Sequence, residues 1–217
     1  MLLYSLVNYR LISNQKGRFT ALSQNKKQMK KIALLYFMLF ITATAFAQTK
    51  QLPTWKTITT GIQLNTSAEI LEELKEKGTT IPYYGGPVKE VLGLTNFSEA
   101  PQKLDLVRVS FDQLNPQDDY AGYDEIVAAA KALGLTFCPA EVGPMLRLQY
   151  LDQPADESVT IVMEPIYYSE YQSSYIYSLV NTTCGNQGKM SKGLKLNDEG
   201  SPYSHWANFV FCRSSAQ

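Results

Sequence analysis

The chain has 217 residues, with 20 Lys and Arg, 20 Asp and Glu and one His, and its formal neutrality hides an asymmetry. Seven of the basic residues and none of the acidic ones lie in residues 1–47, so residues 48–217 carry 13 basic against 20 acidic side chains, a net charge of −7. That acidity opposes phosphate backbones and excludes nucleic acid as a natural partner; one histidine, with no C-x-x-C, H-E-x-x-H or EF-hand spacing, leaves neither a metal nor another cofactor to expect.

Met29-Lys30-Lys31 leads into an apolar run, Ile32 to Phe46, that ends in Ala45-Phe46-Ala47. A basic start, an apolar stretch of about 15 residues and small residues at a cut site describe a secretory signal peptide. A bilayer span needs about 20 apolar residues. Cleavage is expected after Ala47, and no cysteine follows the cut to take a lipid, so no stable membrane anchor remains. Residues 1–28 precede the leader and are read as an over-extended N-terminus with translation starting at Met29; a long basic n-region is the alternative. Residues 29–47 are then the signal peptide, and residues 48–217 are long enough for a single domain with its own core. The expected location is outside the cytoplasm, periplasmic or secreted.

After a loose lead, "WKTITTGIQL" suggests a short strand. Thr66-x-x-Glu69 is a capping box opening a helix with Ile70, Leu71 and Leu74 on one face, which Gly78 ends. Pro87 opens a short helix carrying Val88, Val91 and Leu92. "KLDLVRVSF" (Lys103–Phe111) alternates as a strand, and "DEIVAAAKAL" (Asp124–Leu133) is the second strong helix, acidic at its start and closed by Gly134. Leu135 to Cys138 reads as extended before Pro139. "MLRLQY" (Met145–Tyr150) alternates, with Leu146, Leu148 and Tyr150 on one face, and "SVTIVME" (Ser158–Glu164) is its return strand, which predicts a hairpin between Met145 and Glu164. A further strand is expected over Ser174–Val180, a loop over "NTTCGNQGKMSKG", and a closing strand in "WANFVFCR". Together these predict an α+β fold, two main helices packed on a mostly antiparallel sheet.

Three cysteines allow at most one internal bridge, and outside the cytoplasm bridges persist. Cys184 and Cys212, near the ends of two C-terminal strands, are the preferred pair, leaving Cys138 free. Cys138 could act as a nucleophile with His205, oriented by Glu141 or Asp152, or could be a small buried apolar residue at a strand end. Paired carboxylates such as Glu141 and Glu164 are the other catalytic option, though 20 acids produce such pairs by chance. Glu141, Arg147 and Gln149 form a candidate binding face; a solvated strand face or an internal ion pair would give the same pattern. The tyrosines Tyr167, Tyr168, Tyr171, Tyr175 and Tyr177 offer a second contact surface, with Tyr168, Tyr171 and Tyr175 as its candidates, or are half-buried strand residues.

The stretch "YDEIVAAAKALGLTFCPAEVGPMLRLQYLDQP", followed by "IVMEPI", resembles a group of uncharacterised bacterial proteins. They share a GL-x-x-CPAEVGP-x-LRLQY-x-DQP core and a strand ending in MEPI. The resemblance covers roughly Gly61 to Ile166 and the final "WANFVF", and departs between Tyr167 and Ser204, where the group has a shorter connection. It implies a shared fold and a shared feature at Cys138–Pro154, and no activity. The function expected is a non-catalytic binding module for an extracytoplasmic protein or small ligand. The alternative is an extracytoplasmic hydrolase using Cys138 or paired carboxylates.

Overall fold

The computed structural model describes residues 52–213 apart from residues 63, 65, 82–84, 115, 117 and 184–189. The leader and Cys184 therefore lie outside the described residues. Five helices occur among them: α1 (Ser67–Glu76), α2 (Val88–Leu94), α3 (Phe111–Leu114), α4 (Tyr123–Ala132) and α5 (Val142–Gln149). No helix among the described residues is long and apolar enough to cross a membrane.

The strands are β1 (Lys56–Thr60), β2 (Gln102–Ser110), β3 (Tyr120–Ala121), β4 (Leu135–Thr136), β5 (Glu157–Ile161), β6 (Ile166–Tyr168), β7 (Ser173–Thr183), β8 (Met190–Asp198), β9 (Tyr203–Ser204) and β10 (Asn208–Arg213). Eight of them form one sheet, in the order β1-β2-β10-β5-β7-β6, with β4 beside β10 and β8 beside β7. Among the described strands only β5 and β10 pair in parallel, so the sheet is mostly antiparallel as expected. β3 and β9 make a separate two-stranded ribbon.

The caps act as the sequence suggests. In α1 the Thr66 hydroxyl accepts the Glu69 N–H at 3.2 Å, and the Glu69 carboxylate accepts the Thr66 N–H at 3.1 Å. The Glu125 carboxylate accepts the Gly122 N–H at 2.8 Å at the start of α4. Each contact satisfies a backbone donor that the helix itself leaves unpaired.

Two expectations fail. Met145–Tyr150 is not a hairpin strand: residues 142–149 are α5, with the Met145 N–H on the Glu141 carbonyl at 3.0 Å and the Tyr150 N–H on the Leu146 carbonyl at 2.7 Å. Val142, Met145 and Leu146 recur at i, i+3 and i+4, but the helix is buried nearly all round, and a short apolar run buried on every side carries no decisive period. Pro144 sits at the third helical position, where its missing N–H breaks no helical bond. β5 instead pairs with β7 and β10. The second failure is the loop expected after Asn181: β7 runs on to Thr183, and β8 begins at Met190 as an edge strand. "MSKGLKLN" is too poor in β-branched residues to announce a strand.

The core lies on both faces of the sheet. Tyr177 points toward α5, where a Cβ added to Gly143 would lie 2.5 Å from the Tyr177 Cβ. Only glycine permits that approach of helix to sheet. Ser178, its neighbour along β7, faces the other way. Thr160 lies opposite Ser178 and Phe209 opposite Thr160, so these share the second face. Tyr203 of the ribbon packs edge-on against Phe209 there, ring centroids 5.1 Å apart.

Candidate functional site

The segment Cys138–Pro154 holds five of the residues that looked functional, Cys138, Glu141, Arg147, Gln149 and Asp152, and each of its polar side chains that the sequence singled out is engaged within the chain. Glu141 is buried, and its carboxylate accepts the backbone N–H of Ser98 at 2.9 Å and the Ser98 hydroxyl. Arg147 is 1 % exposed and donates to the Gln153 side-chain oxygen and the Tyr150 carbonyl. Burial pushes its guanidinium down to about 10, against the pull of Tyr150 and Glu157. Gln153 in turn donates to the Glu157 carbonyl at 3.2 Å and the Leu179 carbonyl at 3.3 Å. The Tyr150 hydroxyl donates to Glu157 at 2.7 Å, and Arg108 pairs with the other oxygen of that carboxylate. Burial and the Glu157 contact both raise the Tyr150 phenol.

Gln149 has a different task. Its amide accepts the Thr59 N–H at 3.0 Å and donates to the Thr59 carbonyl at 2.8 Å, as a neighbouring strand would. It thereby covers part of the open edge of β1, and an open strand edge is an aggregation hazard. The opposite edge strand, β8, is met by Thr80 and Gly85: Thr80 exchanges backbone bonds with Lys192 and Leu194, and the Gly85 carbonyl accepts the Leu196 N–H. Glu141, Arg147 and Gln149 thus reach Ser98, Gln153 and Thr59. Among the described residues, these three side chains make no hydrogen bond to one another.

Among the described residues, the candidate catalytic side chains make no hydrogen bond to one another. The Cys138 sulfur is buried against Cys212 Sγ at 2.7 Å and the Val210 carbonyl at 3.9 Å, and burial raises its thiol. Glu141 is occupied by Ser98, and Asp152 pairs with Lys56 at 3.3 Å. Glu164 is exposed. His205 sits on an exposed turn, edge-on to Phe111 and Trp206. Among the described residues, no three His, Cys, Asp or Glu side chains could together hold a metal ion. The partner expected for Cys212, Cys184, lies outside the described residues. Of the tyrosines, Tyr177 is core, and Tyr175 and Tyr168 are half-buried. Tyr171 is exposed at the β6–β7 turn, edge-on to Tyr168 at 5.4 Å, and the Tyr168 hydroxyl donates to Glu170.

A groove of about 230 Å³ opens on the second face of the sheet, lined by Ser158, Thr160, Asn197, Pro202, Tyr203, Ser204, Trp206, Ala207 and Asn208. None of these carries a charge. Trp206 is 86 % exposed, beside the wall formed by Tyr203, which is 7 % exposed. The Tyr203 hydroxyl is buried without a hydrogen-bond partner, and burial pushes it up to about 12 despite the nearby Asn197 amide. That amide donates instead to Ser178 at 2.9 Å and Thr160 at 3.3 Å. The side chains of Ser158, Ser204 and Asn208 make no hydrogen bond to other described residues. The turn is pinned: the Ala207 N–H bonds the Ser204 carbonyl at 2.8 Å, and the Ala207 carbonyl accepts the Phe111 N–H at 3.0 Å. The sequence hid this site by placing Trp206 at the head of an apolar strand, "WANFVF", where it reads as core. Its one signal was the polar context "SPYSHW" just before. Family models, curated proteins and solved structures yield no match to the chain.

Proposed function

We propose that this protein is a non-catalytic binding module working outside the cytoplasm as a single domain over residues 48–217, and that its ligand occupies the groove beside Trp206. The observation that carries the reading is the unpartnered, buried Tyr203 hydroxyl in a groove beside a fully presented indole. A buried hydroxyl without a partner costs about 1–3 kcal/mol, and a ligand that supplies the bond recovers that cost. The uncharged lining offers nothing to an ion. Hydroxyls and an amide next to an aromatic plate suit a neutral polyhydroxylated molecule, whose C–H face rests on indole while its hydroxyls meet Ser158, Ser204, Asn208 and Tyr203. We therefore assign a neutral saccharide as the ligand class. The groove is smaller than the roughly 300–1,000 Å³ of a drug-sized site, which suits a single sugar unit of a longer chain. The apolar leader ending in Ala-Phe-Ala supports the location, and the acidic balance of residues 48–217 weighs against nucleic acid.

The test is nuclear magnetic resonance of the exported protein against a panel of neutral and anionic mono- and oligosaccharides. The expected result is that neutral sugars shift the Trp206 indole N–H and the Asn208 side-chain amide, and that Trp206→Ala abolishes the response. A panel that leaves both signals in place, or sugars that bind Trp206→Ala equally well, overturns the reading.

A further inference from the structure

We propose that Cys138 and Cys212 are joined by a disulfide when the protein folds in an oxidising compartment, a cross-link that ties the start of the CPAEVGP segment to the last strand. The two sulfurs lie 2.7 Å apart, and both residues are buried, at 2 % and 5 % exposure. An S–S bond is about 2.05 Å long, so closure needs a movement of roughly 0.6 Å and no change of strand register. The backbones are already fixed. Cys212 lies opposite Thr136 in the β4–β10 pair, the Cys138 N–H donates to the Val162 carbonyl at 2.8 Å, and the Val162 N–H donates to the Val210 carbonyl at 2.9 Å. Burial raises the Cys138 thiol, so that sulfur is not a standing nucleophile.

The chemistry is thiol–disulfide exchange with a small or protein disulfide as oxidant. One cysteine thiolate attacks a sulfur of the oxidant and releases one thiol. The second thiolate then attacks the protein sulfur of the mixed disulfide and releases the other thiol. Two protein thiols give up two protons and two electrons, and the oxidant's disulfide becomes two thiols. The folded pair is closed off from an oxidant, so exchange happens during folding, before β10 docks. The proposal is independent of the groove: a protein that binds no sugar can still carry this bond.

The test is peptide mapping of the exported full-length protein, unfolded and alkylated without reductant. The expected result is one peptide pair joined through Cys138 and Cys212, with Cys184 alkylated. Protein refolded under reductant should melt roughly 10 °C lower than protein refolded with oxidised glutathione, because the bond closes a long loop, its cysteines 74 positions apart. The Cys184→Ser variant should show the same bond and the same difference in melting. Full alkylation of Cys138 and Cys212, or a bridge from either to Cys184, overturns the proposal.

Discussion

Between Glu141 and Gln153 the conspicuous charged and amide side chains are bonded to the chain itself, whereas between Tyr203 and Asn208 a groove is lined by Tyr203, whose buried hydroxyl has no partner, and by two polar side chains that bond no other described residue. The first region is where the sequence is most distinctive; the second is where it is plain. An unusual charged motif can exist because a fold needs it. Arg147 lies beneath the surface on a helix that touches β1, β7 and β8, and a buried cation persists only where fixed acceptors surround it. A ligand site shows the opposite condition, polar groups held in place but unsatisfied.

Arg147→Met gives the strongest test of that contrast. It removes the buried charge but strands the Tyr150 carbonyl and the Gln153 oxygen that the guanidinium bonds. Stranding two buried acceptors should cost about 3 kcal/mol, read as a lower urea midpoint with the slope unchanged. Sugar affinity of the folded fraction should not move. A variant as stable as the parent would show that the motif is not the structural centre described.

Gly143→Ala comes next. The added methyl meets the Tyr177 ring at contact distances under 3 Å, so α5 must retreat from the sheet. Overpacking of this kind should cost about 2 kcal/mol, measured by the same unfolding curves. If the loss is below 0.5 kcal/mol, roughly the scatter of surface substitutions, the helix is not seated as tightly as its geometry says.

How much of this was legible depended on how far a residue's partner lay along the chain. The capping box of α1 lies within four residues and was read from sequence, as were α4 and β2. The partner of Gln149 is 90 positions away and that of Glu141 is 43 positions away, so neither role could be inferred before the sheet was assembled. Until then a charged residue waiting for a distant internal partner looks the same as one waiting for a ligand. α5 was misread for a related reason. Its period of 3.6 shows only when one face is polar, and here the sheet, α1 and the N-terminal strand bury nearly all of it. The groove joins β5, β8 and the β9–β10 turn, three segments that no local pattern connects.

Tyr203→Phe has the smallest expected effect on stability and the opposite sign. In the motif, removing a polar group strands its partner. At Tyr203 the hydroxyl has no partner to strand, and its removal relieves the burial of an unsatisfied group. The variant should be as stable as the parent or more stable by up to about 1 kcal/mol, while its affinity for a neutral sugar falls by about tenfold, the equivalent of one lost hydrogen bond. The parent also has a pH signature that the variant should soften. The phenol's usual value is 10.0, and burial raises it to about 12 in the folded state. The unfolded chain therefore ionises first, so this group leaves stability unchanged below pH 10 and lowers it as the pH rises toward 12. Alkaline unfolding of Tyr203→Phe should begin at a higher pH than in the parent. A variant that is destabilised by 1 kcal/mol or more would mean that the hydroxyl has an internal partner after all, and the difference between the two regions would disappear.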